Sequence, residues 1–160
     1  NVTIHDVALG SKQDHILLWA DYPGSGLASV YQRNLSHFSR DFDYSELVEV
    51  TTLDYWAQEQ GIRPNLLKLD VEGHELSVLE GAYSMLRSVE VVQFEFGGCN
   101  IDSRTFFQDY YYLLKDQGFC IFRLGPRGLI PVKRYSEVDE AFTTTNYLAL
   151  RGSGIASKSL

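Results

Sequence analysis

One segment near the middle of the chain constrains the fold most strongly, residues 66–81, which read LLKLDVEGHELSVLEG. Its first six residues form a short, nearly continuous apolar run, which is typical of a strand buried on both faces. Gly73 then allows the backbone to turn sharply, and apolar residues at spacings of three and four follow, as on one face of a helix. The segment therefore predicts a strand, a tight turn and an amphipathic helix in direct succession.

The same alternation of strands and helices extends in both directions along the chain. Strands are predicted at residues 2–9, 16–20, 47–50, 89–96 and 147–150, helices at 53–60 and 106–118, and a hairpin around 125–128. Residues 27–45 show no clear period and predict a mobile excursion over the surface. This order is typical of an α/β protein with a parallel sheet and helices on both faces. We expect a single domain over residues 1–151 and a loose tail over 152–160.

Charge and hydropathy restrict the class of protein and its partners. The chain has 14 basic and 21 acidic residues and a net charge of −7, an unfavourable balance for binding nucleic acid through its phosphates. No apolar run reaches the roughly 18–20 residues that span a membrane, so we expect no membrane partner. Residues 1–10 have neither the basic start nor the apolar stretch of a signal peptide, which predicts a cytoplasmic protein. Cys99 and Cys120 are interpreted as small buried residues.

Polar side chains follow the two central strands of the predicted sheet. Asp70 and Glu72 come after the first strand, and Glu95 lies near the end of the next. Because ligands of such sheets bind beyond the carboxyl ends of the strands, we expect a site there that includes His74. These groups could orient an acceptor, take its proton or bind a cation. In the alternative interpretation, Asp70 and Glu72 cap backbone N–H groups and His74 lies on the surface; spacing alone leaves both open.

The motifs around this segment resemble those of a known enzyme family. LLKLDVEGHELSVLEGA, preceded by VTTLDYWAQEQGI, is similar to the central signature of the FkbM family of S-adenosylmethionine-dependent methyltransferases. The opening VALGSKQDHILLW and the downstream VVQFEFG, DYYYLLKDQGF and GPRGL also match the order of motifs in that family. The resemblance extends over nearly all of residues 1–151.

The resemblance implies a Rossmann-like class I methyltransferase sheet, mostly parallel, with one reversed strand near the C-terminus. It implies S-adenosylmethionine as the cofactor and the hydroxyl of a sugar, polyketide or related small metabolite as the acceptor. The Gly-rich loop and the acidic strand end of the family have no counterpart here. We therefore expect an N-terminally truncated domain that lacks two strands, whose open sheet edge could pair with a second copy as a homo-oligomer.

The family signature also implies roles for individual residues. Asp70, Glu72, His74 and Glu95 are the candidate catalytic residues, with Asp70 expected to line the site beside the methyl group. Asp6, Val7, Ala8 and Asp70 are the candidate cofactor-binding residues, because the third strand of this fold borders the adenine. No residue is assigned to a metal. Two other hypotheses are a non-catalytic module that has lost the donor site and a metal-dependent enzyme that uses Asp70, Glu72 and Glu95.

Overall fold

The computed structural model describes residues 2–152, so all but the first residue of the predicted tail lies outside the described residues. The strands are β1 (Ala8–Leu9), β2 (Asp14–Ala20), β3 (Tyr44–Thr51), β4 (Leu66–Lys68), β5 (Val91–Phe96), β6 (Phe119–Gly125), β7 (Gly128–Val132) and β8 (Thr145–Arg151). The helices are α1 (Leu53–Gln60), α2 (Glu75–Glu80), α3 (Cys99–Ser103) and α4 (Phe107–Asp116). Single 3-10 turns occur at Ser36–Phe38, Met85–Arg87 and Glu137–Asp139.

The N-terminal region forms a three-stranded sheet in the order β1-β3-β2. β2 and β3 form a long antiparallel ribbon that begins at the Asp14↔Val50 pair. Of the strand predicted over residues 2–9, only the two residues of β1 pair, and they run parallel to β3. That prediction was therefore wrong for residues 2–7, where the alternation of apolar and polar side chains occurs without a partner strand.

The remaining strands form a five-stranded sheet in the order β4-β5-β8-β6-β7. β8 lies between β5 and β6 and is antiparallel to both, which confirms the reversed strand near the C-terminus. An α/β architecture is confirmed, but a mostly parallel sheet is not, since only β1–β3 and β4–β5 are parallel pairs in residues 2–152. The reason is the insertion of β8, which separates β5 from β6 although these two strands point the same way.

β4 differs from the strand that its composition predicts. It lies at the edge of the five-stranded sheet and pairs only with β5 in the described part of the chain. Leu66 is 57% exposed, and Lys68 and Asp70 are exposed as well. The prediction that this strand is buried on both faces was therefore wrong. Leu69 points into the core with 4% exposure, whereas Leu66, Lys68 and Asp70 on the other face of the strand point outward.

One face of the five-stranded sheet packs against helices and forms the core. The helix predicted over residues 106–118 is confirmed as α4, and its side chains Phe107, Tyr110, Tyr111 and Leu114 are all buried. The Tyr110 ring stacks on Phe94 of β5 at 5.2 Å between centroids. The predicted α1 is confirmed too: the Thr52 side chain accepts a hydrogen bond from the Tyr55 N–H, and Gly61 ends the helix with a φ of 65°. No helix within residues 2–152 is long and apolar enough to cross a membrane.

The close approach of two glycines joins the end of β1 to the end of α2. Gly81, which follows α2, packs against Gly10, the residue that follows β1. A Cβ atom on Gly81 would lie 2.0 Å from the carbonyl oxygen of Gly10. The contact is between backbone and backbone. Neither glycine can therefore move away without displacing β1 or α2.

This contact predicts that Gly81→Ala destabilises the protein. We expect the free energy of unfolding to fall by at least about 3 kcal/mol, the upper end of the usual cost of overpacking. The cost is high because the new methyl group would collide with backbone atoms, which cannot rotate away as a side chain can. Gly26→Ala is the matched control, since a Cβ there has no atom within 4 Å. Urea unfolding followed by circular dichroism measures both. Equal stability of the two variants would contradict the close packing.

Candidate functional site

The strand register brings three polar side chains into one row. Lys68 of β4 is paired with Gln93 of β5, and the Leu69 N–H donates to the Gln93 carbonyl oxygen at 2.8 Å. Continued by two residues, this parallel register places Asp70 beside Glu95, which is itself paired with Asn146 of β8. Because paired residues share a face, Asp70, Glu95 and Asn146 lie together at the carboxyl ends of the two parallel strands.

The surroundings of Glu95 shift the pKa of its carboxyl group. Burial raises its pKa above the ordinary value, and the negative charges of Asp70 and Glu72 raise it further. The Asn146 side-chain N–H donates to Glu95 Oε2 at 3.5 Å, and the Gln93 amide donates to Asn146 at 3.0 Å. The structure therefore brings Asp70, Glu72 and Glu95 close together, as the sequence predicts.

Glu72 is held by residues from other parts of the chain. Arg33, in the segment between β2 and β3, donates to Glu72 Oε2 at 2.7 Å and to Asp102 Oδ2 at 3.2 Å. Only 10% of the Arg33 side chain is exposed. The Cys99 thiol also donates to Glu72 Oε2, at 3.0 Å, and burial together with this carboxylate raises the pKa of the thiol. Glu72 is thus engaged in internal contacts that fix its orientation.

The turn between β4 and α2 depends on a different carboxylate. Glu72 and Gly73 both have positive φ, 49° and 101°, and Glu72 is one of the few non-glycine residues in that region. Glu75, which is 2% exposed, accepts hydrogen bonds from the N–H groups of Val71 and Gly73 at 3.0 and 3.1 Å. The capping role that the alternative interpretation gave to Asp70 and Glu72 therefore belongs to Glu75.

His74 is packed under the segment between β2 and β3. Its Nδ1 shares a hydrogen bond of 3.2 Å with the Tyr31 hydroxyl. Its Nε2 would lie 3.1 Å from a Cβ on Gly10, so the ring fits between that segment and the end of β1. Burial lowers the pKa of His74 below its ordinary value and favours the neutral ring. The alternative interpretation, which placed His74 on the surface, is wrong, since the side chain is partly buried.

The candidate cofactor residues lie in a separate cleft. Asp6, Val7 and Ala8 line a cavity of about 540 Å³ together with Leu18 and residues 46–49 of β3. The chain that leaves β1 contacts α2, because the Ser11 N–H donates to Ser77 Oγ at 3.1 Å. Asp70 does not line it.

Sequence analysis missed four residues of the site: Arg33, Glu75, Gln93 and Asn146. Gln93 could have been found, because it alternates with Glu95 along β5 and so shares its face. The position of Glu75 in the first turn of α2 suits any acidic residue and does not by itself indicate a buried acceptor. No local sequence pattern marks Arg33 or Asn146, because each reaches the site through contacts with residues far away in the sequence. Within residues 2–152, no group of three or more His, Cys, Asp or Glu side chains is arranged to hold a metal ion.

The Glu75 contacts predict that Glu75→Ala costs about 2–4 kcal/mol of unfolding free energy, because two buried N–H groups lose their acceptor. Glu80→Ala is the control, since Glu80 ends the same helix and is exposed. Urea unfolding at neutral pH checks both variants. A loss below 1 kcal/mol for Glu75→Ala would show that the turn does not depend on this carboxylate.

The environment of His74 predicts a stability change with pH. Its pKa in the folded protein is below the ordinary 6.5, so the unfolded chain binds the proton more tightly. This contribution to stability is present above about pH 6.5 and is lost as the pH falls. We expect His74→Gln to lose less stability than the wild type between pH 7 and pH 5, measured by urea unfolding. His37→Gln, at an exposed position, should follow the wild-type curve.

Comparison with known proteins identifies the family. A search among curated proteins found no match, and a search among solved structures found none either. The sequence model of one family, described as the methyltransferase FkbM domain, matches residues 2–121. This match covers most of the chain and extends from β1 to the first three residues of β6, so it includes Asp70, Glu95 and the turn held by Glu75. The chain therefore belongs to the FkbM methyltransferase family.

Proposed function

We propose that this protein transfers a methyl group from S-adenosylmethionine to a hydroxyl of a small metabolite such as a sugar or polyketide. The observation that supports the proposal best is the pair Asp70 and Glu95, which lie side by side at the carboxyl ends of β4 and β5 in a member of a methyltransferase family. Ligands of α/β sheets bind beyond such strand ends.

The residues present fit a donor of this kind. S-adenosylmethionine carries a sulfonium cation, an ammonium group and two ribose hydroxyls, which suit carboxylate partners, and a carboxylate, which suits the Lys68 ammonium beside Asp70. The cleft lined by Asp6, Val7 and Ala8 also contains Glu46 and Glu49, and its volume of about 540 Å³ is within the usual range of small-molecule sites. We assign the adenosine part to this cleft and the charged end to the neighbourhood of Asp70.

The reaction needs a group that takes the proton of the acceptor. When bound, S-adenosylmethionine supplies an electrophilic methyl group to a hydroxyl oxygen held in line with it. Glu95 is the residue we propose as the base, because its raised pKa makes it a stronger proton acceptor than an ordinary carboxylate. Asp70, which is exposed and forms an ion pair with Lys68 at 2.7 Å, orients the acceptor hydroxyl.

Glu72 and His74 act differently in this proposal. Glu72 is held in place by its ion pair with Arg33, and its negative charge raises the pKa of Glu95. His74 supports the turn through its contact with Tyr31. We therefore treat both as positioning residues and not as the proton acceptor.

The proposal predicts binding of S-adenosylhomocysteine, measured by isothermal titration of the full chain. We expect a dissociation constant in the micromolar range and at least a tenfold loss in Asp70→Asn, which corresponds to about 1.4 kcal/mol. Asp116→Asn is the control, because Asp116 lies exposed at the end of α4. Undetectable binding would contradict donor use by this chain and favour a non-catalytic module. Equal binding by Asp70→Asn would remove Asp70 from the donor site.

A further inference from the structure

Two side-chain amides lead to Glu95 along one face of the five-stranded sheet. The Gln93 amide N–H donates to Asn146 Oδ1 at 3.0 Å, and the Asn146 amide N–H donates to Glu95 Oε2 at 3.5 Å. Gln93 and Glu95 are two residues apart on β5, and Asn146 of β8 is paired with Glu95 in the antiparallel register. We call Gln93 and Asn146 the amide pair. Because all three side chains share a face of paired strands, the backbone itself holds them within reach of one another.

The direction of these hydrogen bonds follows from the chemistry of Glu95. An ionised carboxylate can only accept hydrogen bonds, so Asn146 has to present its N–H group to Glu95. The carbonyl oxygen of Asn146 then faces Gln93, which supplies an N–H group to it. Each donor of the amide pair therefore points toward Glu95, and this arrangement stabilises the ionised form of the carboxyl group.

The other groups around Glu95 mostly favour its protonated form. The charged groups that interact with it are Lys68 and Asp70 of β4, Glu72 of the turn and Glu75 of α2. Burial raises the pKa of Glu95, and the carboxylates of Asp70 and Glu72 raise it further. The Asn146 amide and the charge of Lys68 lower this pKa. Lys68 forms an ion pair with Asp70 at 2.7 Å, so the hydrogen bond that opposes protonation of Glu95 comes from Asn146.

We propose that Gln93 and Asn146 are positioning residues that keep Glu95 ionised and direct the incoming proton to one of its two oxygens. Asn146 contacts Oε2, and within residues 2–152 no hydrogen-bond donor contacts Oε1. The proton of the acceptor hydroxyl therefore moves to Oε1 of Glu95, and the hydroxyl oxygen keeps the electron pair that forms the bond to the methyl carbon. This role rests on the proposed methyl transfer, whereas the effect of the amide pair on the charge of Glu95 does not.

The test is a pH titration of Glu95 in the full chain, without donor or acceptor, followed by NMR of its side-chain carboxyl carbon. The signal of Glu95 is identified by its absence from the spectrum of Glu95→Gln. Asn146→Leu replaces the amide by an apolar side chain of similar shape. In this variant we expect the titration midpoint of Glu95 to rise by at least about half a pH unit, because the ionised carboxylate loses its donor.

A second variant tests the amide pair without altering Asn146. Gln93→Met removes the donor to Asn146 Oδ1 at a similar side-chain length, and it should raise the midpoint of Glu95 by a smaller amount. In the Asn146→Leu background the same change should have no further effect, because Gln93 acts through Asn146. Leu150→Ala is the control: Leu150 lies on the same face of β8 but is paired with Val91, so its truncation should leave the midpoint of Glu95 unchanged.

The outcomes separate this inference from the proposed function. An unchanged or lowered midpoint in either variant, or an equal effect of Gln93→Met in both backgrounds, would overturn the role of the amide pair. If Asn146→Leu does not fold, the midpoint in Gln93→Met decides. If the midpoint rises as expected but S-adenosylhomocysteine does not bind, the amide pair controls the charge of Glu95 and methyl transfer is wrong. If S-adenosylhomocysteine binds but the midpoint does not move, methyl transfer stands and the role of the amide pair is wrong.

Discussion

The buried carboxylate of Glu75 is the interaction on which the rest of the site depends. It accepts the N–H groups of Val71 and Gly73 and so fixes a turn in which two successive residues have positive φ. A backbone in this region is costly for Glu72, which has a side chain, and it persists only where surrounding contacts hold it. With the turn fixed, Asp70 stays at the end of β4 and Glu72 is directed toward Arg33.

Arg33 provides the second constraint, and it acts between distant parts of the chain. Its guanidinium binds Glu72 and Asp102. It thereby joins the segment between β2 and β3 to the turn between β4 and α2 and to α3. Glu72 and Glu95 therefore lie in different electrostatic environments. Glu72 is paired and oriented, whereas Glu95 is left with a raised pKa by burial and by its acidic neighbours. Groups with similar chemistry thereby acquire different roles, as is common in sites that transfer protons.

The segment between β2 and β3 shows which structural features a sequence pattern predicts and which it does not. Its lack of a clear period correctly indicated irregular structure. What anchors it is mainly polar: Ser29 Oγ donates to the Glu72 carbonyl oxygen at 2.8 Å, Tyr31 contacts His74, and Arg33 binds Glu72. Hydrogen bonds between residues some forty positions apart leave no periodic trace, so they could not be predicted from local sequence.

The amino-acid sequence by itself determined the helices α1 and α4, the hairpin of β6 and β7, the reversed last strand and the location of the acidic site after the central strands. These features follow from local periodicity, capping residues and turn residues, or from motifs that carry the family resemblance. Tertiary structure alone decided the rest. The insertion of β8 made the sheet mixed, the edge position of β4 exposed Leu66, and the approach of Gly10 to Gly81 brought β1 against the end of α2. The physical reason is the same in each case, because strand partners and close backbone contacts depend on residues far away in the chain.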